Sequence, residues 1–198
     1  MPQNRKEQIL SAASECFARY GYKKTTLDDI GKKVGLDKAS IYYYFKSKEE
    51  IFTILVLNEF KRFIAQLQQD IVEDMDCEQQ ILFYFEQKLQ FMSQKTLILP
   101  QITEEELQRF IASGKELYSE IEQGEKSFVA KILRNCIKNG DIKDCNVEKI
   151  SDFLFALVEG IKEKYMGVTS NKKPTSADNE NMIQNVQMAL TIFLNGLK

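Results

Sequence analysis

Apolar positions near the start of the chain fall at Ile9, Leu10, Ala13, Cys16, Phe17 and Tyr20, the three-and-four spacing of one helix face. The stripe stops at Gly21, a natural left-handed end. Thr26 is followed three residues later by Asp29, which resembles a capping signal with Asp in place of the Glu or Gln of the strict box. A short second helix then carries Ile30 and Val34 on one side until Gly35 interrupts it. Asp37 is placed to cap a third helix, with Ile41, Tyr44 and Phe45 turned inward. A fourth starts after Ser47 and extends over 48–73, through Ile51, Phe52, Leu55, Phe60, Phe63, Ile64, Leu67 and Ile71. Further helical periodicity predicts elements near 77–96, 103–112, 115–139, 146–167 and 178–197. Breaks fall at Pro100, at Gly140-Asp141 and in the polar run 169–181. Only nine Gly and three Pro occur in 198 residues, which suits long helices with few tight turns. The expected class is all-α, with a three-helix head over 1–47 and a larger helical body over 48–198.

Charge divides the chain at nearly the same place. Residues 1–48 carry ten Lys or Arg against five acids, a net +5; the whole chain is −2, so the remainder is −7. A basic head on an acidic body points to a polyanion at one end only. Histidine is absent, which removes Ser-His-Asp and Cys-His nucleophilic sites and the H-E-x-x-H zinc site. Cys16, Cys77, Cys136 and Cys145 form no C-x-x-C pair, so no metal site is expected, and no cofactor motif is present. With no leader pattern and no apolar run long enough to span a bilayer, the expectation is a cytoplasmic protein with reduced thiols.

Residues 26–45 combine three features. Gly31, Gly35 and Ile41 have the spacing of a helix-turn-helix: a small residue for close approach, a glycine to turn and an aliphatic plug. The open side of the third helix would present Lys38, Ala39, Ser40, Tyr42 and Tyr43, none acidic. Its N-terminal end suits a major groove, with Ala39 against a thymine methyl and Lys38 or Ser40 on base edges or phosphate. The tyrosine hydroxyls suit phosphate oxygens. Three consecutive tyrosines cannot all be core, because neighbours on a helix lie about 100° apart. Thr26 and Lys48 each open a helix where a DNA backbone would pass. Thr26 also reads as an ordinary N-cap, and Lys48 as a solvated lysine.

Ala12-Ala13, Phe17, Gly21-Tyr22, Thr25-Thr26, Asp29-Ile30-Gly31, Gly35-Leu36, Ile41-Tyr42-Tyr43-Tyr44-Phe45 and Ser47-Lys48-Glu49-Glu50-Ile51 together resemble the DNA-binding head of the tetracycline-repressor (TetR) family. The resemblance covers roughly the first quarter of the chain. Two positions depart from it: Gly31 where the family usually has alanine, and Asp37 where Ser or Thr is common. The resemblance implies a homodimeric transcriptional regulator, usually a repressor, that leaves a palindromic double-stranded DNA operator when a small molecule binds the body. Carried over by position, Thr26, Lys38, Ala39, Ser40, Tyr42, Tyr43 and Lys48 become the DNA contacts.

The body gives its own hint of association. Met182, Ile183, Val186, Ala189, Leu190, Phe193, Leu194 and Leu197 form an apolar arc wider than one core needs, extended by Met188 and Ile192. Phe153, Leu157 and Ile161 on the preceding helix join Val186, Leu190 and Phe193 as the expected dimer interface; a central helix in a monomer is the other reading. Among the many aromatics of the middle helices, Phe91, Phe110, Tyr118 and Phe128 are the expected wall of a pocket for an apolar or aromatic effector, although such residues are more often plain core. The long 48–73 helix is the candidate coupling element. Competing readings are a helical cavity protein or enzyme without DNA binding, and an activator with the same fold.

Overall fold

The computed structural model describes residues 2–72, 75–98, 110, 112–166 and 175–198. Among these residues there are eight helices and no strand. They are α1 (Pro2–Tyr20), α2 (Leu27–Val34), α3 (Lys38–Tyr44), α4 (Lys48–Asp70), α5 (Cys77–Ile98), α6 (Lys115–Asn139), α7 (Val147–Met166) and α8 (Ser176–Asn195). The helix expected near 103–112 lies almost wholly outside the described residues. Two compact units result: described residues of 1–61 and 100–118 form the first, those of 62–99 and 119–198 the second. The division falls inside α4, after Lys61, and inside α6, after Tyr118. The first unit therefore holds more than the 1–47 stretch marked off by sequence.

In the first unit α1 packs on α2, and α2 on α3, around Ile9, Ala13, Cys16, Leu27, Ile30, Ile41, Phe45 and Ile51. The chain between α1 and α2 is held by Thr25, which is fully buried; its hydroxyl is shared between the carbonyls of Gly21 (2.8 Å) and Cys16 (3.1 Å). Two carboxylates then start the helices. The Asp29 carboxylate accepts from the Thr26 N–H (2.9 Å) while the Thr26 hydroxyl oxygen accepts from the Asp29 N–H, so Asp completes a reciprocal box with its shorter side chain. Asp37 accepts from the Ser40 N–H at 2.7 Å. These hydrogen bonds, with the Thr26 and Ser40 side chains first, hold both carboxyls below the usual carboxylate range.

Such caps must fail in acid. A native pKa below the unfolded value stabilises the fold above pH about 4, and that contribution is lost as pH falls through the lowered native values. Urea melts followed by circular dichroism are expected to be flat from neutrality to about pH 5 and to weaken below it. Asn caps helices as well as Asp but does not titrate. Asp29→Asn with Asp37→Asn should therefore flatten part of the acid loss; an unchanged acid limb would show that the caps do not contribute.

The second unit is built on α5, α7 and α8, with α8 packed on both of the others. Met182, Val186, Leu190 and Leu194 recur every fourth residue along α8 and are all essentially inaccessible. Each side chain of that size contributes roughly 1.5–3 kcal/mol on burial. Thr175 and Asp178 form a second reciprocal cap at the start of α8. One expectation is overturned here. Cys77, which opens α5, and Cys136, in the last turns of α6, are joined in a disulfide, leaving only Cys16 and Cys145 as free thiols. Nothing in the sequence brings together two residues 59 positions apart on separate helices.

Candidate nucleic-acid interface

The turn between α2 and α3 is set by two glycines. Gly35 adopts φ 66° and ψ 36°, a left-handed conformation that costs glycine nothing, and its N–H closes α2 on the Gly31 carbonyl. Leu36 N–H also donates to Gly31 O, at 2.9 Å. A β-carbon on Gly31 would stand 2.4 Å from the Leu36 carbonyl oxygen, so this turn passes closer than alanine allows. Glycine at 31 therefore permits the close approach its spacing suggested, and one tighter than alanine would allow.

Ile41 is wholly buried against this turn and fixes the rotation of α3. What remains outward follows from helical spacing. Lys38 and Ala39 are exposed, Tyr42 is half exposed and Tyr43 is 82% exposed, while Ser40 is half-buried. Tyr44 turns inward to the core and meets Tyr43 edge to face at 5.0 Å. Two large aromatic phenols stand on the solvent face of a seven-residue helix, beside a lysine. They offer hydroxyl donors, a cation and a methyl on one surface without a single acid along α3 itself.

Thr26 and Lys48 stand differently. The Thr26 hydroxyl donates to the Asp29 carboxylate at 2.6 Å, so in the folded cap its proton is already committed. Lys48 is no solvated lysine. Its ammonium donates to the carbonyls of Tyr22 (2.8 Å) and Thr25 (2.9 Å) and sits 4.4 Å from the centre of the Tyr22 ring. Burial draws its pKa below the ordinary lysine value. Of three N–H donors, at most one is left for a phosphate. Lys48 thus ties the start of α4 to the chain that leads into α2. No local sequence signal marks that role; the Tyr22 ring itself faces Phe17, Phe52 and Phe110 at 4.7–5.7 Å.

The four residues expected to wall an effector pocket lie in separate places. Phe110 belongs to the Tyr22–Phe52 aromatic cluster of the first unit. Tyr118 is a half-buried residue of α6 in that same unit. Phe91 stacks on Phe63 at 3.9 Å and Phe128 lies 5.7 Å from Tyr84, both within the second unit. Of the expected dimer residues, Val186 and Leu190 are buried in the protomer's own core. Phe153 is 48% exposed and stacks on Phe193 at 4.8 Å; Leu157 and Ile161 are half-buried. Met188 (57%) and Ile192 (67%) are the open apolar residues of α8.

A group that sequence reasoning passed over lies in the second unit. Glu125 of α6 is 2% exposed, accepts from the Tyr84 hydroxyl at 2.7 Å and pairs with the Lys88 ammonium at 2.7 Å. Burial and the neighbouring carboxylate push the Tyr84 phenol far up, so it stays a proton donor. The signal was present: Glu125 falls in register with Ile121 and Val129, on the buried stripe of α6. Among the described residues no group of side chains is arranged to hold a metal ion, and no helix is long and apolar enough to cross a membrane.

Comparison with known proteins places this geometry. Residues 9–53 match the model for bacterial regulatory proteins of the tetR family. An HTH-type transcriptional regulator of Bacillus subtilis, YhgD, is 29% identical over 151 residues, covering 75% of this chain and 77% of its own. The negative transcriptional regulator of the icaADBC biofilm operon in Staphylococcus epidermidis, IcaR, is 43% identical over 82 residues, 40% of this chain and 44% of its own. In fold, the chain is similar to a transcriptional regulator from Cytophaga hutchinsonii (TM-score 0.71, 24% identity, covering 96% of this chain and 97% of that one). It is also similar to FadR from Bacillus subtilis in complex with stearoyl-CoA (TM-score 0.60, 22% identity, covering 93% and 96%). Residues 9–53 thus carry the capped helix-turn-helix head of the tetR family of bacterial regulatory proteins, and the all-helical body shares its fold with these solved regulators.

Proposed function

We propose that this chain is a homodimeric, sequence-specific DNA-binding repressor that leaves a palindromic operator when a small, largely apolar molecule binds its body. One observation carries the reading: buried Ile41 orients α3 so that Lys38, Ala39, Tyr42 and Tyr43 stand outward together. Ala39 and Ser40 at the leading end of α3 would meet base edges, and Lys38 and the two tyrosines phosphates. Thr26 and Lys48 would work at the edge of this surface, chiefly by holding it in place. The functional division remains head 1–47 and body 48–198, with α4, which runs through both compact units, carrying the coupling. Repression is favoured by the kinship with IcaR, a negative regulator. Response to an apolar ligand is favoured by the likeness in fold to a regulator that takes stearoyl-CoA.

Purified protein mixed with fragmented DNA of its source organism at fixed moderate salt tests the reading. One palindromic site should be enriched. Lys38→Ala is expected to weaken binding to all sequences alike and to lower the salt slope by about one. Tyr42→Ala should lose about tenfold at the enriched site, as one or two phosphate hydrogen bonds would. If folded dimer enriched no site, with or without candidate ligands, the regulator reading would fall. A transcription assay on the neighbouring gene then separates repression from activation, since both would bind alike.

A further inference from the structure

Glu125, Lys88 and Tyr84 form a polar knot inside an aromatic setting. Lys88 Nζ lies 4.8 Å from the centre of the Phe155 ring; Phe155 meets Phe85 at 5.1 Å, and Phe128 lies 5.7 Å from Tyr84. All six belong to the second unit, on α5, α6 and α7. A buried ion pair is a poor stabiliser compared with apolar side chains of the same volume, so its presence in a core asks for another reason. A carboxylate facing a phenol and an aromatic face is also the setting that recognises an ammonium group.

The depth of the two charges decides which of them an incoming group can replace. The Glu125 side chain is 3% exposed and the Lys88 side chain 13%. Lys88 is the outer member, on a flexible four-carbon stem that can return its charge to water. Displacing it with another cation leaves Glu125 paired and hydrogen-bonded throughout. An incoming anion would instead have to drive Glu125 out of the core or leave it beside a second negative charge, which is strongly unfavourable. The surrounding field agrees, since residues 49–198 carry a net −7.

We propose that the body holds a site for a lipophilic ammonium, whose head replaces the Lys88 ammonium on Glu125 and Phe155 while its apolar tail lies along Phe85 and Phe128. Lys88 in place is then the resident plug, and its own ammonium marks where the ligand's would sit. This deepens the effector reading above and rests on it only for the consequence at the operator, not for binding.

Three isosteric probes test it on the full chain: 4-phenylbutylamine (protonated), 4-phenylbutanol and 4-phenylbutyrate, each by calorimetry without DNA. The ammonium is expected to bind at least tenfold more tightly than the alcohol or the carboxylate. Glu125→Gln should remove that preference. Lys88→Ala should be less stable than the parent and regain melting temperature with the ammonium but not with the other two; Lys88→Met serves the same purpose if the alanine variant does not fold. Equal binding of all three probes, a preference for the carboxylate, or no ammonium-specific rescue would overturn the site. The operator assay reports separately. Ammonium binding by a protein that selects no DNA would sink the regulator reading and leave the site standing; operator selection without ammonium binding would do the reverse.

Discussion

Ile192→Glu is expected to split the proposed homodimer and to take operator binding with it. Ile192 is 67% exposed in the isolated chain, beside Met188 at 57% on the same helix and Phe153 at 48% on α7. These are three large apolar side chains open on two helices that pack together, a surface that a partner would cover. In a two-fold contact each position is met twice, so one substitution places two carboxylates in a surface that must be dry. Leaving them unpaired there costs several kcal/mol. The fold of each protomer should survive, because Val186 and Leu190, not Ile192, make the core contacts of α8. Sedimentation should then show a monomer with unchanged helical circular dichroism. A monomer holds one recognition helix on one half-site and loses the local concentration of the second. Its affinity should fall on the order of a thousandfold. A variant that stayed dimeric would place the interface elsewhere on the molecule.

That reading differs from the one periodicity alone supports, and the difference is physical. A helix wheel shows that the apolar arc of α8 is wide, but not which part of it a protomer keeps. Val186 and Leu190 look like interface residues by type; the packing of α8 on both α5 and α7 claims them, and pushes Met188 and Ile192 outward. The head was more legible because its signals are local. Thr26, Asp29, Gly35 and Asp37 act within a few residues of themselves, so their spacing specifies caps and turns directly. Lys48 was readable as a cation near a helix start, whereas its carbonyl partners 23 and 26 residues away were not. The same limit hid the body's chemistry. Phe91, Phe110, Tyr118 and Phe128 share a composition but not a place, and Lys88 meets Glu125 only because the fold lays α5 and α6 side by side.

Reduction of the Cys77–Cys136 bond is expected to be the largest single loss of stability available without touching the apolar core. The bond closes a loop of 59 residues, and in the chain-entropy account a loop of that size restrains the unfolded chain by about 4 kcal/mol. Against a total of roughly 5–15 kcal/mol for a domain, that is a large share. The oxidised, urea-unfolded protein should titrate only two thiols, those of Cys16 and Cys145. Dithiothreitol should then lower the urea midpoint by about 2 M, taking a slope near 2 kcal/mol per M. Cys77→Ser and Cys136→Ser should each reproduce the loss without reductant, and Cys145→Ser should not. The choice of partner matters to function as well as stability. The bond joins the first residue of α5 to the last turns of α6, the two helices that also hold Lys88 and Glu125. Once it is reduced, that pair and the Tyr84 hydroxyl become the main polar tie between them, so Glu125→Gln should be tolerated in the oxidised protein and far more damaging in the reduced one. Four thiols in the unfolded protein would show that the bond does not form, and a midpoint indifferent to reductant that it adds no stability.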